Sequence, residues 1–139
     1  MFDDLRVAFR EALDNFNKEL SRNQVPETVD KLLVGMKNEI ADEKAQVAGL
    51  ADQLDKVRVQ IERVTGEGAT ARRREEMARK IHDQETATLA AEYATKHEGH
   101  RKVLEKKADA LQEEFEFRQG TVDEMYARFH KAREQRDAL

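Results

Sequence analysis

The sequence contains no cysteine, no tryptophan, one proline and six glycines in 139 residues. Without cysteine, disulfides, Cys-based zinc sites and thiol redox chemistry are excluded, although this alone does not fix the compartment. The scarcity of proline and glycine removes the residues that most effectively interrupt a helix. Long apolar runs are missing too, and none approaches the ~18–20 residues that a membrane span requires. The first twenty residues already carry Asp3, Asp4, Arg6, Arg10 and Glu11, a pattern unlike a secretion signal. The expectation is a soluble chain, cytoplasmic in the simplest case.

What the sequence has in abundance is charge. Its 25 basic and 29 acidic residues nearly cancel to a net −4, and charged and hydrophobic residues each make up 39%. A chain of this length has too few apolar side chains for a thick globular core. Ala, Glu, Lys, Leu, Arg and Gln dominate, the composition of long helices and coiled coils.

The first segment places Phe2, Leu5, Phe9, Leu13, Phe16 and Leu20 at spacings of three or four. That spacing makes an amphipathic helix over 1–22 with an aromatic stripe on one face. The break falls at Ser21–Val25, because Pro26 disfavours helical geometry at Val25 yet is tolerated in the first turn of a new helix. Asn23 is the expected cap of that helix.

From Val29 the apolar positions run Leu33, Met36, Ile40, Val47, Leu50, Leu54, Val57, Ile61 and Val64. Steps of four and three alternate with one interruption, where Glu43 occupies a core position. Such a seam, sustained for about five heptads, is that of a coiled coil. Gly66 and Gly68 then interrupt it, and their freedom at positive φ predicts a reversal at 65–70 with Thr70 capping the returning helix. Met77 and Ile81 are expected to begin the apolar face of that helix, followed by Ala87, Ala90, Ala91 and Ala94 and closer packing. After Gly99 the seam resumes through Leu104, Ala108, Leu111, Phe115, Val122, Met125, Phe129 and Ala132 in a new phase, which reads as a stutter. Gly99 and Gly120 mark candidate kinks, and Thr121-Val-Asp-Glu124 matches a capping box, so the returning arm is one helix or two. At ~1.5 Å per residue the arms would measure ~60 and ~100 Å. The excess over 108–139 would receive the first helix folded back, or pair with another subunit. The expected fold is all-α: a long antiparallel coiled-coil hairpin over 26–139 with a short N-terminal amphipathic helix.

No Gly-rich phosphate loop, H-E-x-x-H or G-x-S-x-G occurs, and the chain is read as non-enzymatic, with no catalytic residue and no cofactor. His97-Glu-Gly-His100 places two imidazoles on one helical face but offers no third ligand at a recognisable spacing. Two solvated histidines are the simpler reading, and no metal site is expected. Arg72, Arg73, Arg74, Arg79 and Lys80 concentrate positive charge at the expected hairpin tip. An acidic partner or anionic lipid would compensate them, as would Glu75 and Glu76 on a solvated face. Nucleic acid is not expected as a partner, because the chain is net acidic and the cluster has no interleaved aromatics. The Phe/Leu stripe either packs on the overhanging arm or docks on a bilayer or partner helix.

The order of elements, together with three stretches, resembles the phage-shock-protein-A family, which includes the plastid vesicle-inducing proteins and is related to ESCRT-III. Pro26-Glu-Thr-Val-Asp-Lys-Leu-Leu-Val-Gly-Met-Lys-Asn-Glu-Ile40 is similar to the family's entry into its first hairpin helix. His82-Asp-Gln-Glu-Thr-Ala87, followed by Leu89-Ala-Ala-Glu-Tyr-Ala-Thr-Lys96, resembles its "G-x-E-[DE]-L-A-x-x-A-[LI]-x-x-K" segment. Val122 through Leu139 is similar to its "K-A-R-x-x-x-L" run. The resemblance implies a self-assembling, stress-protective protein, peripheral on the inner face of a membrane. Phe2, Leu5, Phe9, Leu13, Phe16 and Leu20 would then be the bilayer contact. The competing expectation is a cytosolic scaffold, chaperone or stalk whose N-terminal helix packs on the hairpin or on a partner.

Overall fold

A computed structural model describes residues 5–139 of the chain. Three helices follow one another, α1 over Val7–Ser21, α2 over Pro26–Lys80 and α3 over Gln84–Asp137. No strand occurs among the described residues. The architecture is all-α, with α2 and α3 packed as an antiparallel hairpin.

The expected reversal at 65–70 is not where the chain turns. Helix α2 continues through Gly66, Gly68 and Thr70 to Lys80, and no glycine has positive φ. The reversal lies at Ile81-His82-Asp83. There His82 takes the left-handed conformation at φ 57°, its N–H donates to the Arg79 carbonyl at 3.2 Å, and the Asp83 N–H donates to the Ala78 carbonyl at 2.8 Å. This pair of bonds is a Schellman closure of α2. Asp83 then caps α3, its Oδ1 accepting from the Thr86 N–H at 3.2 Å and its Oδ2 from the Thr86 hydroxyl at 2.7 Å. Those donors hold the Asp83 carboxyl below its ordinary pKa. With the turn here the two arms are nearly equal, at 55 and 54 residues.

The glycines failed as stop signals because the core pattern runs straight through them. Buried or half-buried positions continue after Val64 at Gly68, Ala71, Glu75 and Ala78, still four and three apart. On α3 the same alternation runs from Ala87 through Ala90, Ala94, His97 and Leu104 to Ala108, with Arg101 at the one exposed step. It continues through Leu111, Phe115, Arg118, Val122, Met125, Phe129 and Ala132. The expected stutter is therefore absent, since polar side chains hold the positions that an apolar-only count skipped. Neither Gly99 nor Gly120 breaks α3, and Thr121 uses its hydroxyl mid-helix, donating to the Phe117 carbonyl at 3.3 Å. Asn23 is not a cap either: α2 starts at Pro26, and the Val25 carbonyl accepts its first helical bond, from the Val29 N–H at 3.0 Å.

The chain divides into two compact units. The first, which includes the described residues up to Gly49 and Glu114–Leu139, is a three-helix assembly. Its core joins Leu5, Phe9 and Phe16 to Val29, Leu33, Met36 and Ile40 of α2, and to Met125 and Ala132 of α3. The second unit, Leu50–Glu113, has two helices and the turn. Part of it is packed by Val57, Val64 and Leu104 with Ile61, Ala108 and Leu111. Leu50 and Leu54 are buried as well, and toward the turn the buried residues become small: Gly68, Ala71 and Ala78 on α2, and Ala87, Ala90 and Ala94 on α3.

Candidate interaction surfaces

The aromatic stripe of α1 is already covered. Phe9 and Phe16 are fully buried, Leu5 is buried, and Leu13 and Leu20 are half-buried against the α2–α3 pair. Phe2 lies outside the described residues. Within the 108–139 stretch expected to receive the first helix, Met125, Phe129 and Ala132 do pack with it, and α2 supplies the rest of the bed through Val29, Leu33, Met36 and Ile40.

A charged staple accompanies that apolar contact. Glu43, the polar intruder in the α2 seam, is buried. It accepts from Arg6 at 3.2 Å through Oε2 and from Arg118 at 3.0 Å through Oε1. Arg6 also donates to Glu39 at 2.6 Å. The Arg6 guanidinium is held above its ordinary pKa, chiefly by the Glu39 hydrogen bond. A carboxylate alone at a core position would be strongly unfavourable, but two guanidinium groups compensate it and tie α1 to both long helices.

The basic cluster separates into two kinds of side chain. Arg72 donates to Glu98 across the helix pair at 2.7 Å and to Glu75 at 2.9 Å, Arg79 donates to Glu75 at 2.7 Å, and Lys80 lies 3.6 Å from Glu76. These contacts raise the Arg72 pKa, Glu98 acting first, and lower those of Glu75 and Glu98. Arg79 and Lys80 sit in the last turn of α2, where the helix dipole favours cations. A turn at 65–70 would have put these cations at the start of the returning helix, where the dipole disfavours them; with the turn at 81–83 that conflict does not arise. Arg73 and Arg74 differ: Arg73 reaches only the Thr70 hydroxyl, at 3.0 Å, and Arg74 has no polar partner among the described residues.

Beside these two arginines runs an open groove of about 670 Å³ between α2 and α3. Gly66 and Ala90 leave it shallow-floored, and Arg63, Arg73, Arg74, Tyr93 and His97 line it. His97 Nδ1 lies 3.4 Å from Glu67, which also accepts from Arg63 at 2.9 Å. His100 is exposed, and among the described residues no three His, Cys, Asp or Glu side chains are grouped to hold a metal. Met77 and Ile81, expected to start a buried face, are instead 67% and 74% exposed; Leu89 and Tyr93 are 52% and 53% exposed. Spacing misplaced Met77 and Ile81 and gave no signal for Leu89 and Tyr93, since the seam passes through the alanines and leaves the larger residues outside it. No described helix is long and apolar enough to cross a membrane.

No protein-family model, no curated protein and no solved structure matches this chain.

Proposed function

We propose that the chain is a non-catalytic, protein-binding helical hairpin, with its partner surface on the two-helix unit. The observation that carries this reading is the exposure of Met77, Ile81, Leu89 and Tyr93 around the turn. Other large apolar residues, among them Val34, Val59, Val103 and Phe117, are exposed elsewhere along the chain. Around the turn, however, Met77 and Ile81 stand one helical turn apart on α2 and Leu89 and Tyr93 one turn apart on α3, a grouping that suits an interaction surface. The α1 stripe, by contrast, is consumed by folding, so α1 acts as a structural clamp on the three-helix unit. A peripheral membrane role of the kind implied by the phage-shock-protein-A resemblance would require α1 to leave Met36, Ile40 and Met125.

The test places a photo-crosslinking residue at Ile81 in cells, with exposed Lys18 as the control position. The expected result is one discrete adduct, identified by mass spectrometry, that forms from Ile81, not from Lys18, and is lost in Leu89→Asp. Absence of adducts, or an adduct only with a second copy of the chain, overturns the reading. Co-sedimentation of the folded chain with neutral or anionic vesicles would overturn it in favour of a membrane role.

A further inference from the structure

We infer that the groove lined by Arg73, Arg74 and Tyr93 binds an acidic peptide segment of the partner, one carrying a large apolar side chain beside its carboxylates. The inference rests on the protein-binding reading and adds the chemistry of the partner.

Charge is the first argument. Helical arginines usually take a carboxylate three or four positions away, as Arg63 and Arg79 do with Glu67 and Glu75. Around Arg74 those positions are Thr70, Ala71, Met77 and Ala78, none of them acidic. Arg73 has Glu76 within reach in sequence, but Glu76 lies beside Lys80. The acid that lines the groove, Glu67, is already shared between Arg63 and His97. An incoming carboxylate therefore meets two guanidinium groups whose charge nothing in the groove offsets, each of a kind able to pair with a carboxylate bidentately.

Shape is the second. About 670 Å³ is within the range of ligand clefts. A Cβ built on Gly66 would meet nothing within 4 Å, so the groove there is open to a side chain from outside. The half-exposed Tyr93 ring offers an apolar wall. A polyanion fits less well: Glu62, Glu75, Glu76 and Glu92 lie close in sequence to the groove residues, and a nucleic-acid backbone needs an extended basic surface.

The test uses the full chain and a fluorescein-labelled peptide of alternating Glu and Phe, followed by anisotropy. Controls are the same peptide with Gln replacing Glu, and sodium phosphate as competitor. The acidic peptide is expected to bind saturably, and the Arg73→Glu/Arg74→Glu double variant to weaken it by roughly tenfold or more, the loss of two charge-assisted contacts. Gly66→Leu keeps every charge, fills the groove and is expected to weaken binding several-fold. Both variants change exposed positions, and retained helical circular dichroism with cooperative melting no lower than wild type confirms that they fold. Wild-type affinity in either variant, equal binding of the Gln peptide, or displacement by phosphate alone would overturn the inference. Failure here with the Ile81 adduct intact removes the acidic-peptide assignment only, whereas loss of the adduct removes the underlying reading.

Discussion

The three-helix unit and the two-helix unit are built from the same heptad alternation and hold together by different means. In the first, Phe9, Phe16, Met36 and Met125 are completely buried, and a third helix covers a face that a pair would leave open. In the second, the stretch near the turn buries alanines and Gly68. Each alanine removes far less apolar area from water than a phenylalanine, so burial holds that stretch more weakly, and an exposed cross-helix ion pair such as Arg72–Glu98 adds little to it. Charge divides likewise, since by residue count residues 50–113 are neutral and the net −4 falls on the rest of the chain. Phe9, Phe16, Met36 and Met125 are spent on the core of the first unit, whereas Met77, Ile81, Leu89 and Tyr93 around the turn of the second are exposed.

The largest expected break in this comparison is Phe16→Ala. Truncating a fully buried phenylalanine should lower stability by about 3–5 kcal/mol. Hydrogen exchange should show the loss over α1 and its bed while residues 50–113 keep their protection; uniform loss would mean that the units unfold as one. Next is Glu43→Gln, which removes the charge between Arg6 and Arg118. The effect should be about 2–3 kcal/mol, below that of a fully buried pair because both arginines are about one-third exposed. Thermal melting that stays unchanged would show that Glu43 is only tolerated.

In the two-helix unit the sign should reverse. A Cβ at Gly68 would lie 3.5 Å from the His97 Cβ, an ordinary contact, so Gly68→Ala should stabilise by about 0.5–1 kcal/mol. His82→Gly should also stabilise, by about 1 kcal/mol, because glycine relieves the left-handed residue of the turn. A drop in melting temperature for either variant would contradict the helical geometry at Gly68 or the left-handed one at His82.

The smallest effect is expected from acid. Glu75 is held below its ordinary pKa by Arg79 and Arg72, Glu98 by Arg72, and Asp83 by Thr86, all in the two-helix unit; Asp30, held down by Arg136, lies in the other. A lowered carboxylate contributes stability that is present above its unfolded value and lost as pH falls through its folded one. Below about pH 4 the two-helix unit should therefore lose amide protection first. Simultaneous loss would place the acid-sensitive contacts elsewhere.

Composition and spacing alone determined that this chain is helical, that Pro26 begins a new helix, and that Val29 to Val64 forms a seam, because each follows from local propensity and periodicity. Asp52 and Lys56, four apart on the outer face of α2, form the ion pair that such spacing favours, at 3.0 Å. The turn was not legible. Ile-His-Asp is a weaker local signal than Gly-Glu-Gly, and helix packing outweighs the propensity penalty of a mid-helix glycine. Only the tertiary structure decided that the α1 stripe is covered, that Glu43 finds two arginines from distant segments, and that Arg73 and Arg74 share a groove with Tyr93. Periodicity specifies which face of a helix is apolar, but what lies against that face depends on contacts between residues far apart in the chain.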